Sequence, residues 1–328
     1  MTDVRHMHHA LTLASRALGR TAPNPAVGCV IVAPDGRVVG RGWTQDGGRP
    51  HAETMALAQA GEAARGATAY VTLEPCAHFG KTPPCADALI AAGVSRVVCA
   101  VEDPDPRVKG QGFAKLRAAG IDVVTNVMEV EATALNAGFF LRIRENRPLV
   151  TLKIAQSADH KTVPPSGTSK WITGEEARRY AHLLRVQHDA ILVGMGTVLA
   201  DDPELTVRLP GLETYSPLRV VLAGRRSMPA GAKLAAPDTL IFDGGIPALL
   251  HALAGRGVTR LLVEGGATVF SAFLAAGFAD RLALFTAPLT LGESGSGTVP
   301  DVAESPDFMR VNRRLLGIDT LESFARRA

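Results

Sequence analysis

The sequence has little of what several classes of protein depend on. Four cysteines in 328 residues are too few for a disulfide framework, and 5% aromatic residues give little surface for stacking nucleic-acid bases. The net charge of +3 leaves no strong basic patch for nucleic acid or an anionic membrane. No apolar run reaches membrane-spanning length, and the first residues carry Asp3, Arg5 and histidines where a secretory signal would be apolar. These absences predict a reduced, cytoplasmic protein without a nucleic-acid or membrane partner.

What is present indicates two α/β domains. A chain of 328 residues exceeds what one hydrophobic core usually holds. Strand-like runs such as "AVGCVIV" and "DAILVG" alternate with helix-like stretches almost throughout, which favours layered α/β structure. The boundary is predicted near Asn146, giving domains of residues 1–146 and 147–328. Thr173 and Glu176 have the spacing of a capping box at the first helix of the second domain.

One group of residues in the first domain has the composition of a metal site. His51 and Glu53 begin an Ala-rich helix, and Cys76 and Cys85 each follow a proline. One imidazole and two thiolates make a three-ligand zinc set that leaves the fourth tetrahedral position for water. A glutamate beside the ligands supplies the proton shuttle that an activated water needs. The pattern matches the H-x-E and P-C elements of zinc nucleobase deaminases, although eight residues separate the cysteines where those enzymes have two.

A structural zinc site built from the same side chains is the alternative. Such a site normally uses four protein ligands, and it has no role for Glu53. His78 lies between the two cysteines and could be a spare ligand, although we expect it to form part of the pocket wall. The three-ligand catalytic interpretation therefore explains more of the residues.

Longer stretches of the chain resemble a known family. In the first domain these are "PNPAVGCVIV", "PHAETMAL" and "YVTLEPCAHFGKTPPC", and in the second "SGTSKWIT", "LLRVQHDAILVGMGTVLADDPELTVR" and "LLVEGGATVFSAFLAAG". In this order they are similar to the bifunctional riboflavin-biosynthesis deaminase-reductases. The eight-residue spacing of the cysteines is also that family's. The resemblance covers most of the chain and both of its halves.

The resemblance implies a fold and an activity for each domain. It implies a three-layer domain of cytidine-deaminase-like fold, followed by an α/β domain of dihydrofolate-reductase-like fold. The first would use Zn²⁺ to deaminate a diaminopyrimidinone that carries a phosphoribosylamino group. The second would use NADPH to reduce the ribosyl group to a ribityl chain. In the first reaction His51, Cys76 and Cys85 would hold the zinc while Glu53 moves protons, and the protein would be a homodimer or a larger homo-oligomer.

The same resemblance assigns residues to the substrate and to the cofactor. Asn24 would hold the pyrimidine edge, although it equally suits a rigid turn between prolines, and Lys81 would meet the phosphate or else lie in solvent. In the second domain the substrate would contact Lys153, Ser169, Arg185, Leu205, Arg208 and Glu264. The cofactor would contact Ala155, Trp171, Thr197, Asp201, Gly266, Ala267, Thr268, Val269, Phe270 and Ser271. Without the resemblance, the strand and glycine pair of "LLVEGGATVF" are only a weak sign of pyrophosphate binding, because the Rossmann glycine fingerprint is absent.

Some positions depart from the family pattern. His160 stands where a glycine is usual, and Ala223 stands where an aspartate usually follows "LRVV". Asp105 replaces an asparagine and Ala77 a serine. The first two leave open a zinc deaminase joined to a disabled reductase. Two further hypotheses are a deaminase of nucleic-acid bases and a metal-stabilised scaffold without activity.

Overall fold

The alternating apolar runs form two α/β units, residues 1–146 and 147–328, each with its own hydrophobic core residues. The structure is a computed structural model that describes residues 2–79, 83–163, 171–298 and 304–327. Lys81 and Ser169, two of the residues assigned to substrate, lie outside the described residues. No helix in the described part of the chain is both long and apolar enough to cross a membrane.

The first unit is built on a five-stranded mixed sheet. Its strands are β1 (Gly28–Val32), β2 (Val38–Trp43), β3 (Thr68–Val71), β4 (Arg96–Cys99) and β5 (Asp122–Val124). Its described helices are α1 (Thr2–Ala14), α2 (Ala52–Ala60), α3 (Cys85–Ala91), α4 (Gln111–Ala118), α5 (Glu129–Leu135) and α6 (Ala137–Glu145). The strand order is β2-β1-β3-β4-β5, in which β1 is antiparallel to both neighbours and β3, β4 and β5 are parallel. The stretches "AVGCVIV" and "RVVGRGW" contain the two strands of the antiparallel β1–β2 pair.

Two glycines of β2 bring α2 into close contact with the sheet. A Cβ atom on Gly40 would lie 2.2 Å from the carbonyl oxygen of Ala56, and one on Gly42 would lie 2.1 Å from that of Ala52. Only glycine permits this approach of helix and strand backbones. The alanines of α2 pack against these glycines, and their contact holds the beginning of the helix against the sheet.

The second unit is built on an eight-stranded sheet. Its strands are β6 (Leu149–Ser157), β8 (Ala190–Gly194), β9 (Leu218–Leu222), β10 (Thr239–Phe242), β11 (Arg260–Val263), β12 (Arg281–Ala287), β14 (Phe308–Leu316) and β15 (Asp319–Arg326), while β7 (Lys161–Val163) and β13 (Ser296–Thr298) form a separate pair. Its described helices are α7 (Glu175–Val186), α8 (Met195–Asp201), α9 (Ile246–Gly255) and α10 (Ala267–Ala275). The order is β10-β9-β8-β11-β6-β12-β15-β14, parallel from β10 to β12 and antiparallel beyond. The carboxyl ends of six parallel strands therefore share one edge, where open α/β sheets bind ligands.

The capping box predicted for α7 is wrong. The helix begins at Glu175, and the capping position is Gly174, which has no side chain to cap it. The carboxylate of Asp319 on β15 instead accepts the backbone N–H of Gly174, with the oxygen and nitrogen 2.7 Å apart. The side chain that caps α7 therefore comes from a residue 145 positions away, whereas the local sequence predicted that Thr173 would provide the cap.

Candidate active sites

The ligand set predicted for zinc comes together at the beginnings of two helices in the first unit. His51 is the residue that caps α2 and has an extended backbone, while Cys85 is the first residue of α3. Cys76 lies in the loop that follows β3. The Nδ1 atom of His51 is 3.3 Å from the sulfur of Cys85 and 3.7 Å from that of Cys76. All three candidate ligand atoms lie within 4.8 Å of one another.

These separations fit a tetrahedral zinc ion. Zinc bonds of about 2.3 Å to sulfur and about 2.0 Å to nitrogen place two tetrahedral ligand atoms roughly 3.5–3.8 Å apart. His78 is not part of the described ligand cluster. It lines the adjoining cavity instead, as expected, with a buried Nδ1 atom that has no hydrogen-bond partner among the described residues. Three protein ligands leave one position open, which is the arrangement of a catalytic site.

One thiol of the cluster is shifted towards the form that binds a metal. The Cys85 thiol and backbone N–H both donate hydrogen bonds to the Cys76 sulfur, and they lower the pKa of Cys76 well below its ordinary value. The neighbouring Cys76 sulfur raises the pKa of His51. The Cys76 sulfur and burial both raise the pKa of Cys85. One ligand is therefore predisposed to be a thiolate, the form that binds zinc.

Glu53 lies beside the ligands without being one of them. It is in the first turn of α2, and its side chain is buried, with 4% of the residue exposed. Burial raises the pKa of the Glu53 carboxyl above its ordinary value, and the nearby Cys76 sulfur raises it further. A carboxyl group with a raised pKa can both take up and release a proton near neutral pH.

The cavity next to Glu53 has a polar wall on one side. Asn24, His78, Asp103 and Asp105 line it together with the candidate zinc ligands His51 and Cys76. The Nδ2 atom of Asn24 donates a hydrogen bond to the carbonyl of Gly48 at 3.2 Å, so this side chain both braces the turn and faces the cavity. Burial is the main reason that the pKa of Asp103 rises to about 7.

Glu74 positions that wall and was not identified from the sequence. Its buried carboxylate accepts the backbone N–H groups of Asp103, Gly110, Gly112 and Phe113, at 2.9–3.3 Å. A Cβ atom on Gly112 would lie 2.1 Å from the carbonyl oxygen of Pro75, so the first turn of α4 packs directly against the residue before the candidate zinc ligand Cys76. The sequence feature that could have identified Glu74 is its position shortly after the apolar strand β3.

In the second unit, residues assigned to the substrate form an ion-pair network at the carboxyl edge of the sheet. Glu264 directly follows β11, and Arg185 on α7 donates two parallel hydrogen bonds to its carboxylate, at 2.8 and 3.0 Å. The Lys153 ammonium on β6 lies 3.9 Å from the same carboxylate. Burial opposes ionisation of Glu264, but Arg185 and Lys153 outweigh it and lower its pKa to about 2. Two cations share one carboxylate, so the network retains a positive charge for an anionic ligand.

The other substrate residues lie on the segment beside this network. Arg185 also donates to the carbonyl of Thr206 at 2.7 Å. Leu205 is buried, with 3% of the residue exposed, and has a left-handed backbone of φ 57°. A contact between Leu205 and substrate would therefore come from its main chain. Arg208 is exposed, and its backbone N–H donates a hydrogen bond to the Nδ1 atom of His182, 3.3 Å away. His182 was not identified from the sequence.

The residues assigned to the cofactor meet where α8 and α10 begin. A Cβ atom on Gly194 would lie 2.6 Å from the Val269 side chain, and one on Gly265 would lie 2.8 Å from it. A Cβ atom on Gly266, which caps α10, would lie 3.9 Å from the hydroxyl of Thr197. The Val269 side chain therefore fills the space beside Gly194 and Gly265, whereas the space beside Gly266 is open, at a helix start whose backbone amides suit a pyrophosphate. This helix start has the backbone groups that would hold the pyrophosphate of the cofactor.

The remaining cofactor residues have differing exposure. Asp201 is the last residue of α8 and is exposed, and Ala155 is half-buried on β6. Trp171 is 51% exposed, with the Arg178 guanidinium 5.3 Å from its ring centre. Phe270 belongs to the core, with 4% of the residue exposed. The neighbouring Ala267, Thr268 and Ser271 are in the first turns of α10.

His160 adopts the backbone that explains why glycine is usual at its position. Its φ is 62°, in the left-handed region that glycine enters at little cost. The imidazole is exposed, and its Nδ1 atom lies 3.2 Å from the amide nitrogen of Gln156. The turn is anchored by Asp159, whose carboxylate accepts hydrogen bonds from Ser157, Leu291 and Gly292. The side chain of His160 is thus accommodated without loss of the turn.

Comparison with known proteins agrees with this geometry in both units. Residues 1–101 match the family model of the cytidine and deoxycytidylate deaminase zinc-binding region, and residues 148–323 match that of the RibD C-terminal domain. The riboflavin biosynthesis protein RibD of Aquifex aeolicus is 43% identical, over 99% of this chain and 98% of the relative. The Escherichia coli protein of the same name is 42% identical, over 97% and 98%.

Solved structures extend the similarity to the whole fold. RibD of Acinetobacter baumannii superposes with a TM-score of 0.90 at 38% identity, covering 100% of this chain and 99% of the other. The diaminohydroxyphosphoribosylaminopyrimidine deaminase/5-amino-6-(5-phosphoribosylamino)uracil reductase of Thermotoga maritima gives a TM-score of 0.87 at 35% identity, covering 99% of each chain. The predicted fold class and enzyme classes are confirmed. The chain belongs to the RibD family of bifunctional riboflavin-biosynthesis deaminase-reductases.

Proposed function

We propose that the two units catalyse successive steps of riboflavin biosynthesis, each through its own set of residues. Residues 1–146 deaminate a diaminopyrimidinone bearing a phosphoribosylamino group, and residues 147–328 reduce the ribosyl group of the product to a ribityl chain. The observation that carries the proposal is the three-ligand cluster with Glu53 buried beside it but outside the ligand set. A structural zinc site does not account for that glutamate.

In the deaminase unit the chain holds the metal, moves protons and orients the base. His51, Cys76 and Cys85 would hold Zn²⁺, which lowers the pKa of a bound water from about 15.7 towards 7 and so supplies a nucleophile at neutral pH. Glu53 would take one proton from that water and pass it to a ring nitrogen of the pyrimidine. It would then take the second proton, from the hydroxyl group added to the ring carbon, and give it to the amine, which leaves as ammonia. Asn24, which lines the same cavity, contacts the pyrimidine edge.

In the reductase unit the chain orients the two reactants. NADPH supplies the hydride, and the residues where α8 and α10 begin would hold it. Lys153, Arg185 and Arg208 carry three positive charges against the one negative charge of Glu264, which favours an anionic substrate, and the planar fork of the exposed Arg208 suits phosphate oxygens. Glu264 stays ionised because its two cationic neighbours lower its pKa, and it serves as a fixed hydrogen-bond acceptor.

Two assays on the purified full chain test the proposal. Given the deaminated ribosylaminouracil phosphate, the protein is expected to oxidise NADPH, followed at the nicotinamide absorbance. Given the diamino substrate, it is expected to release ammonia. Ammonia release without NADPH oxidation would instead show a deaminase joined to a disabled reductase, and failure of both assays would refute the proposal.

We also propose a cytoplasmic enzyme that forms homo-oligomers. The four cysteines are free, and the two in the ligand set must remain thiolates, which suits a reducing compartment. In the described residues β14 is an edge strand of nine residues that exposes Met309, Val311 and Leu315. The unpaired backbone groups of such an edge can form hydrogen bonds with β14 of a second copy of the chain, in a contact with two-fold symmetry.

Sedimentation velocity tests this assembly. The wild-type chain is expected to sediment as a dimer or larger species, and Val311→Asp is expected to shift it towards the monomer because a carboxylate would be placed in the paired edge. Glu304→Gln, an exposed change outside β14, is the control. A wild-type monomer at micromolar concentration would contradict the proposal.

A further inference from the structure

The wall of the deaminase cavity carries an ion pair at a position where the family pattern has a neutral side chain. Asp105 stands where asparagine is usual, and Arg107 follows two residues later. The Nε atom of Arg107 donates to both carboxylate oxygens of Asp105, at 3.0 and 3.1 Å, and the backbone N–H of Arg107 donates to the same carboxylate at 3.0 Å. Both residues line the cavity, so the pair forms one unit of its wall.

The position of Asp105 is fixed by more than its partner. Asp105 is buried, whereas the Arg107 side chain that covers its carboxylate is exposed. The backbone N–H of Asp105 donates to the Oδ1 atom of Asp103 at 2.8 Å, and the backbone N–H of Asp103 donates to the Glu74 carboxylate at 3.3 Å. Because these contacts belong to the loop that Glu74 holds, the Asp105 carboxylate should stay in place when the guanidinium is removed.

The charge on this wall matters because the proposed substrate is an anion. Its phosphate monoester carries about −1.5 to −2 charges at pH 7. Among the described residues the cavity is lined by four acidic side chains, Glu53, Glu74, Asp103 and Asp105. The hydrogen bonds from Arg107 are the main reason that the pKa of Asp105 lies below its ordinary value, so this carboxyl is ionised at neutral pH. Without a partner it would repel the substrate, whereas asparagine, which has nearly the same shape, would not.

We propose that Arg107 cancels the charge of Asp105, so that the ion pair takes the place of the family's neutral asparagine and admits the anionic substrate to the deaminase cavity. Arg107 acts on the substrate through Asp105 and takes no part in the chemical step. The inference rests on the proposed deaminase function of residues 1–146. It also accounts for the departure at Asp105, because the guanidinium two residues later compensates for the added charge.

Steady-state kinetics of ammonia release by the zinc-loaded full chain test the pair. Arg107→Gln should raise KM about fivefold, the scale of an exposed charge pair, and leave kcat and the zinc content unchanged. Combining Asp105→Asn with Arg107→Gln should return KM to within about twofold of the wild type, because the wall is neutral again. Added salt should reduce the defect of Arg107→Gln, since it screens the uncompensated carboxylate.

Lys109→Gln is the matched control. Lys109 is exposed in the same loop but is not among the residues that line the cavity, and its loss changes the net charge equally. Its KM should equal that of the wild type. A double variant as weak as Arg107→Gln would show that Arg107 binds the substrate itself and would overturn the inference, as would an unchanged KM in Arg107→Gln. A wild-type chain that released no ammonia would refute the deaminase function itself, which is a distinguishable result.

Discussion

Replacement of Glu53 by glutamine is expected to lower the rate of ammonia release by about 10²–10⁴-fold while the protein keeps its zinc. Glutamine has nearly the same shape but cannot accept a proton from water or return one to the leaving amine. Because Glu53 is outside the cluster of His51, Cys76 and Cys85, the metal site itself should not change. Ammonia release and metal content, measured on the same preparation, test both parts of the expectation.

Glu62→Gln is the control for this result. Glu62 is an exposed residue shortly after α2, so its loss removes one carboxylate from the same region without touching the cavity. Its activity should equal that of the wild type. If Glu53→Gln retained activity within a factor of a few, proton transfer by Glu53 would be excluded.

Replacement of Cys85 by serine is expected to remove zinc and abolish ammonia release while reduction of the deaminated substrate continues. A serine hydroxyl is not deprotonated near neutral pH and is a poor zinc ligand in place of a thiolate. Reductase activity should be kept, since Lys153, Arg185 and Glu264 belong to a different unit.

Metal analysis and the two separate assays give the readout for Cys85→Ser. Cys99→Ala is the matched control, because Cys99 is a buried thiol of the same unit, on β4, and lies outside the ligand cluster. It should keep both zinc and deaminase activity. Loss of both activities together in a Cys85→Ser protein that remains folded would show that the two sites are not independent.

The candidate reactive groups of the deaminase site could be proposed from the sequence because chemistry restricts which residues can serve. Zinc needs nitrogen and sulfur ligands, and an activated water needs a base, so His51, Glu53, Cys76 and Cys85 were identifiable without coordinates. The layered α/β fold followed from the alternation of apolar runs with helical stretches. For the charged reductase residues the sequence contained only the family resemblance, because a single exposed or buried charge has no local pattern, and for the cofactor it added only the weak sign of the strand and glycine pair in "LLVEGGATVF".

Only the tertiary structure decided which distant groups complete each site. Glu74 binds backbone N–H groups 29–39 residues away, and Arg185 meets Glu264 79 residues further along the chain. Asp319 completes the start of α7 from 145 residues away, where Thr173 and Glu176 had suggested a local cap. Periodicity and spacing report which face of an element is apolar and which residues are neighbours along the chain. They do not report which carboxylate the folded chain brings to a given cation or backbone N–H, because that depends on the packing of whole strands and helices.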